Sequence, residues 1–246
     1  MKRIFIETIC NQPFKIKDHE TKERDPALGT EMRFQQYRMD SLGLGKELSE
    51  KTSYPIIPVM EATVDKTDDV EVLLLMRVPS ERMDDQAVEV RQHVKYNLDK
   101  LLDELKNLFE EKAMAGTPKI RVVEIPEDES NANMLLVFNE LRKLIPDNVT
   151  LSCDVTYGNK SLVILLFNLI RYCNQNRNEF YVDRLVYGDT DWTLEEGIAT
   201  IYDQSFEFII DEVITASLIK GDDALDKALY KMTESKSLPS SEISLK

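Results

Sequence analysis

Histidine, cysteine and long apolar runs are what this 246-residue chain has least of, and each scarcity closes off a class of function. The three cysteines, Cys10, Cys153 and Cys173, are odd in number and widely spaced. With only His19 and His93 beside them, they make neither a CxxC pair nor a Cys/His cluster. A zinc or other metal site is therefore not expected, and a reducing compartment is. The longest apolar run, Leu162 to Phe167, falls far short of the roughly 20 residues that span a bilayer. Met1-Lys2-Arg3 followed by Ile-Phe-Ile starts like a signal peptide, but Glu7 breaks the run and no small-residue cleavage site follows. The expectation is a cytoplasmic chain without a membrane partner. Basic residues are also in deficit, 31 against 45 acidic, for a net charge of −14. Binding to a long nucleic-acid backbone draws on many Lys and Arg contacts and is not expected here. A compact anion needs only one helix N-terminus and a cation or two, and stays possible inside an acidic protein.

What is present is a globular composition, 42% hydrophobic and 31% charged with only eight glycines and nine prolines, enough for one large α/β domain with a small appendage. Residues 2–9 (KRIFIETI) read as a first buried strand, and residues 10–29 as a long polar loop. A helix is expected over 32–39, while 54–60 (YPIIPVM) is apolar but interrupted by Pro55 and Pro58. Residues 70–78 (VEVLLLMRV) are apolar on both faces in the middle, as in a parallel strand covered on both sides. A long helical pattern over 85–114 aligns Leu98, Leu101, Leu102, Leu105, Leu108 and Phe109 on one face and is stopped at Gly116-Thr-Pro118. Strands at 119–124, 149–155 and 180–187 alternate with helices at 131–144 and 160–173, followed by a strand or extended connection near 197–202. This alternation predicts an α/β fold: a Rossmann-like, mostly parallel sheet with helices on both faces. The domain is expected over 1–204, with C-terminal helices at 205–219 and 223–232 packed on it and a frayed tail at 235–246.

The most informative stretch runs from Leu151 to Ser161, a strand entering a Gly-containing turn and then an apolar helix. In an open parallel sheet, ligands bind in the crevice at the carboxyl ends of the strands. Gly158 would allow close backbone approach, Thr156 and Ser161 offer hydroxyls, and Lys160 places a cation at a helix N-terminus. Those are the parts of an anion site. The same residues also fit an ordinary junction, with Gly158 a turn residue, Asp154 or Thr156 the helix cap and Lys160 solvated.

Asp154-Val-Thr-Tyr-Gly-Asn-Lys160 resembles the D-[IV]-T-H-G-x-[RK] motif that follows the fourth strand of the CRISPR-associated Rossmann fold (CARF) family. The polar end of the first strand at 8–12, the strands at 70–78 and 119–124, and Val186-Tyr187-Gly188 fall in that family's order, so the resemblance covers roughly residues 1–232. It implies a homodimer that binds cyclic oligoadenylate, a tetra- or hexa-adenylate ring, across its two-fold axis as the second messenger of type III CRISPR antiviral defence. Lys160 and the backbone of Tyr157, Gly158 and Asn159 would then hold phosphate or ribose beside Thr156 and Ser161, and Thr8, Cys10 and Asn11 would line the opposite wall. No cofactor is implied. Tyr157 stands where the motif carries His, which removes any role for an imidazole and leaves a phenol able to stack or to donate a hydrogen bond.

Other motifs are set aside. Gly158-Asn-Lys-Ser161 lacks the upstream glycine of a phosphate-binding P-loop, and Gly43-Leu-Gly45 lacks the third glycine of a dinucleotide fingerprint. Asp189-Thr-Asp191 reads as a solvated turn, and Asp68-Asp69, Asp84-Asp85 and Asp222-Asp223 as capping acids at element boundaries. Trp192 is expected to cover the end of the core or a dimer contact. Neither histidine has the Arg five positions upstream that a HEPN ribonuclease motif requires. The leading expectation is a CARF-type homodimer, either sensor-sized and complete or the sensor part of a longer protein, that cleaves the ring as a metal-independent ring nuclease with Lys160 as catalytic residue. A non-catalytic sensor that regulates a partner through its terminal helices, and an unrelated Rossmann-like enzyme acting on a mononucleotide or sugar phosphate, stand as alternatives.

Overall fold

The computed structural model describes residues 1–10, 36–38, 52, 54–78, 85–189, 198–206, 208, 210 and 214, with the backbone alone for 36–38, 85–89 and 198–199. The expectations placed on Asn11, the loop to residue 29, Gly43 to Gly45, Asp191, Trp192, the 223–232 helix and the 235–246 tail lie outside these residues. The chain divides into two compact units, Met1–Gln204 and Ser205–Lys246. In the second unit, residues 206, 208, 210 and 214 are helical.

The first unit is an α/β fold. In chain order it runs β1 (Lys2–Thr8), β2 (Gln36–Arg38), α1 (Ile56–Thr63), β3 (Asp69–Val78), α2 (Asp85–Glu111), β4 (Lys119–Pro126), α3 (Asn131–Leu144), β5 (Val149–Asp154), α4 (Lys160–Asn176), β6 (Phe180–Asp189) and β7 (Ile198–Asp203). One seven-stranded sheet has the order β2-β7-β6-β5-β1-β3-β4. Every neighbouring pair is parallel except β6 with β7. From β1 the chain steps outward through β3 to β4, then returns to the other side of β1 and steps through β5 to β6. With right-handed crossovers, that reversal puts α1 and α2 on one face and α3 and α4 on the other.

The central strands β1, β3 and β5 are mainly apolar in their middles because both faces are covered. Phe5, Val72 and Leu74 join a core with Ile56 and Met60 of α1 and Val94, Leu101 and Leu105 of α2. The alternate residues Ile4, Ile6, Leu73 and Leu75 are equally inaccessible, and α3 and α4 bury Val137, Leu141, Leu166, Leu169 and Ile170. Each such side chain contributes on the order of 1.5–3 kcal/mol of transfer free energy. At the amino-terminal edge of the sheet, Arg3 on β1 donates to Asp68 and to Asp183 of β6, each at 3.0 Å. Asp68 also accepts from the chain's own N-terminus, so this acid serves an ion-pair network at the foot of β3 and caps no helix.

Two local expectations are corrected. The pattern over 32–39 predicts a helix, but Gln36–Arg38 is a strand, paired in parallel with Ile198 to Thr200; its hydrogen-bond partner, β7, is remote in sequence and invisible to local periodicity. The proline-interrupted segment forms helix α1, with Pro55 at its N-cap and Pro58 in its first turn. The first-turn N–H groups have no intrahelical acceptor, so both prolines cost the helix nothing in hydrogen bonds. Among the described residues no helix is long and apolar enough to cross a membrane.

Candidate functional site

The sheet reverses its direction of growth between β1 and β5, so the carboxyl ends of these two strands flank the position where open α/β sheets bind ligands. β1 delivers Glu7, Thr8 and, just beyond its end, Cys10; β5 delivers Asp154 and the turn 155–159 that leads into α4. Helix α2 forms part of the surround. From near its middle the Asn97 side chain donates to the Cys10 carbonyl at 2.7 Å, and the Tyr54 hydroxyl donates to the Asn97 carbonyl at 3.3 Å.

The turn is held from within. The Asp154 Oδ1 accepts from the Thr156 N–H at 2.7 Å and from the Thr156 hydroxyl. That hydroxyl in turn accepts the Gly188 N–H at 2.7 Å, tying the ends of β5 and β6 together. Gly158 adopts φ 111°, a conformation costly for any residue with a β-carbon. A β-carbon there would also stand 3.3 Å from both the Thr8 Cγ2 and the Leu162 Cδ2, so the turn rests directly on the end of β1. Asn159 caps α4, its Oδ1 accepting from the Leu162 N–H at 2.8 Å, while its amide donates to Glu129, which pairs with Arg77. The cap is thus Asn159, and the alternative in which Asp154 or Thr156 capped this helix is corrected: Asp154 closes a turn onto Thr156 instead.

Not all of the expected site residues converge. Thr8 and Gly158 are in contact, with Thr156, Tyr157 and Asn159 in the same turn, and Lys160 stands exposed at its exit. Tyr157 is half-buried with its ring edge-to-face against Tyr54, 5.6 Å between centroids, so its aromatic surface is already in use by the core. Cys10 is buried in the core on the α2 side. Ser161 lines a groove of about 520 Å³ between α3 and α4, with Met134, Leu135, Phe138 and Ile164. Among the described residues no cluster of three or more His, Cys, Asp or Glu side chains could hold a metal ion.

Glu7, which sequence reasoning did not place at the site, and Asp154, the first residue of the motif, dominate its electrostatics. Glu7 and Asp154 are both fully inaccessible, on adjacent strands, and within hydrogen-bond reach of each other. Burial, and then the charge of Asp154, raises the Glu7 carboxyl well above its ordinary range. Burial pushes Asp154 up to about 6, restrained by its hydrogen bonds from Thr156, by Glu7 and by the Ile56 N–H at the start of α1. Among the described residues, none of the groups acting on either acid is a cation. Two carboxylates in a site without a counter-charge cannot both ionise cheaply, so the pair retains a proton. Asp154 has the donors and takes the charge, and Glu7 holds the proton. The one sequence signal was Glu7 itself, a lone acid inside an apolar strand that the fold covers on both faces.

Fold and site together define a doubly wound α/β protein in which a glycine turn and a helix N-terminus stand at the β1/β5 switch point, beside a buried acid pair. No protein-family model matches the chain, and no curated protein matches it.

Proposed function

We propose that this chain is a CARF-type protein of type III CRISPR defence that binds cyclic oligoadenylate as a cytoplasmic homodimer. The observation that carries the reading is the Asp154 to Lys160 turn, which resembles that family's motif at every specified position but Tyr157 and lies at the switch point of the sheet, pressed against Thr8. A phosphate of the ring would meet the unshared N–H groups at the start of α4 and the Lys160 ammonium, a favourable combination for an anion even on an acidic protein. The Thr8 hydroxyl supports the same position: it is 3% exposed and has no hydrogen-bond partner among the described residues, so a ligand oxygen or amine would satisfy it.

The proposal extends to slow cleavage. A ribose 2′-oxygen aligned with the neighbouring phosphorus would form the new P–O bond as the P–O5′ bond breaks, with Lys160 beside the phosphoryl oxygens where negative charge develops. Neither a metal nor an imidazole is required. The test is calorimetric titration with cyclic tetra-adenylate and cyclic hexa-adenylate, followed by chromatography of the recovered ligand. One ring bound per two chains supports the reading; linear product makes the protein a ring nuclease, and intact ring makes it a sensor. Binding of neither ring favours the alternative of a Rossmann-like enzyme acting on a mononucleotide.

A further inference from the structure

We propose that the Glu7–Asp154 pair is a proton-linked regulator of the adjoining anion site, taking up a proton when the ligand's phosphate settles on the turn from Tyr157 to Lys160. The inference rests on the function proposed above and adds to it a chemical control.

Three structural facts carry it. First, both acids are fully buried, and neither oxygen of Glu7, nor the Asp154 Oδ2, has a hydrogen-bond donor among the described residues. A proton between the two carboxyls satisfies these atoms. Second, the pair bridges β1 and β5, the two strands whose carboxyl ends flank the crevice, so its charge lies directly beneath the ligand's position. Third, the connection to the turn is short and covalent: Asp154 accepts the Thr156 N–H and hydroxyl, and Tyr157 follows immediately.

Among the described residues, the groups around the pair leave its charge uncompensated. Cys10 beyond β1 is buried, burial raises the Cys153 thiol on β5 well above its ordinary range, and burial first, then the acids nearby, does the same for the Tyr54 hydroxyl. From α2, Glu104 acts on Tyr54 with the same negative sign. From α1 only the Ile56 N–H dipole opposes it. In register across β1 and β5, Leu74 and Val186 contribute no charge.

A phosphate on the turn would stand within about 10 Å of Asp154. One negative charge about 8 Å away, at the effective dielectric of a partly buried site, favours the protonated carboxyl by about one to two pH units. Asp154, ionised in the free protein above about 6, is then driven toward its neutral form as the ligand binds. Binding therefore takes up protons near neutral pH, and affinity falls as pH rises through that range, by at most about tenfold per pH unit for one linked proton.

The experiment is calorimetric titration with cyclic tetra-adenylate at about pH 6.5 in two buffers of different ionisation enthalpy, on the full chain, on Asp154→Asn and on Glu7→Gln. Asp154→Asn keeps the Oδ1 acceptor for Thr156 while removing the carboxyl that takes up the proton; Glu7→Gln replaces the protonated acid by a neutral donor, and the infrared band of a protonated carboxyl, present in the wild type and lost in Glu7→Gln, verifies that Glu7 holds the resting proton. The expected result is uptake of up to one proton per chain by the wild type and by Glu7→Gln, and none by Asp154→Asn, which still binds. Tight binding with equal heats in both buffers overturns the regulator and leaves the proposed function standing. Absence of binding overturns both.

Discussion

A β-carbon on Gly188 would stand 2.3 Å from the Pro55 Cγ. The glycine at the end of β6 and the proline at the head of α1 are therefore in direct contact over the end of β5, and the Gly188 N–H is free to reach the Thr156 hydroxyl because nothing projects from its α-carbon. A stiff proline ring cannot swing aside as a flexible side chain would. Gly188→Ala is expected to destabilise the protein by about 1–3 kcal/mol through overpacking. The double variant with Pro55→Ala should recover part of that loss, and denaturant titration of the four proteins of the cycle measures the coupling. Additive losses would place the strain elsewhere.

Thr156 links two groups, the Asp154 carboxylate and the Gly188 N–H, with one hydroxyl. Thr156→Val keeps the shape but leaves the Gly188 N–H without its acceptor and the Asp154 Oδ1 with one donor fewer, at a cost of about 1–3 kcal/mol. Thr156→Ser should lie close to the wild type. Equal melting temperatures for the valine and wild-type proteins would contradict the role assigned to this hydroxyl.

The acid pair gives stability a distinctive pH dependence. Asp154 is raised from an ordinary 3.8 to about 6, so the native state binds this proton more tightly than the unfolded chain does. The unfolded chain releases it first, and stability falls as pH rises from about 4 to 6, by about 3 kcal/mol for two pH units. Asp68 acts with the opposite sign. Its carboxyl, although partly desolvated, is lowered by the Asp65 N–H, the N-terminus and Arg3, so its contribution is present above its ordinary value and lost as pH falls through its native one. Denaturation midpoints across mildly acidic pH should therefore decline toward neutrality in the wild type, and decline less steeply in Asp154→Asn, where the titrating carboxyl is gone. A profile that rises over this interval in the wild type would contradict the buried pair.

Lys160 is the cation at the exit of the turn. Lys160→Ala is expected to weaken cyclic tetra-adenylate binding by about 10- to 100-fold, the value of a charge-assisted hydrogen bond, with a shallower dependence on salt. Lys160→Arg should retain most of the affinity. Undiminished binding by the alanine variant would remove Lys160 from the site.

Asn159 holds both the start of α4 and the contact to Glu129. Asn159→Ala is expected to cost about 1 kcal/mol as a lost cap. Asn159→Asp should preserve the cap and place its charge beside Glu129, so it is expected to fall between the two in thermal melts.

Much of the fold was legible in the chain because its signals are local. The alternation of short apolar runs with longer helical periods located β1, β3, α2, β4, α3, β5, α4 and β6 within a few residues, and the Gly-containing turn before α4 was readable from the strand before it and the apolar helix after it. Segments whose conformation depends on remote partners were not. β2 takes its strand form from pairing with β7, and α1 hides behind two prolines that only its first turn tolerates.

By itself the sequence determined the kind of elements, their order and the chemistry of the turn from Asp154 to Lys160, since these follow from periodicity, turn residues and composition. Only the tertiary structure decided that β1 and β5 are neighbours at the reversal of the sheet, that Glu7 faces Asp154, that the Tyr157 ring leans on Tyr54, and that Gly188 must be small beneath Pro55. The reason is physical. Side-chain periodicity reports which face of an element is buried but not what lies against it, and the energy of a buried charge is set by groups that folding brings from distant parts of the chain.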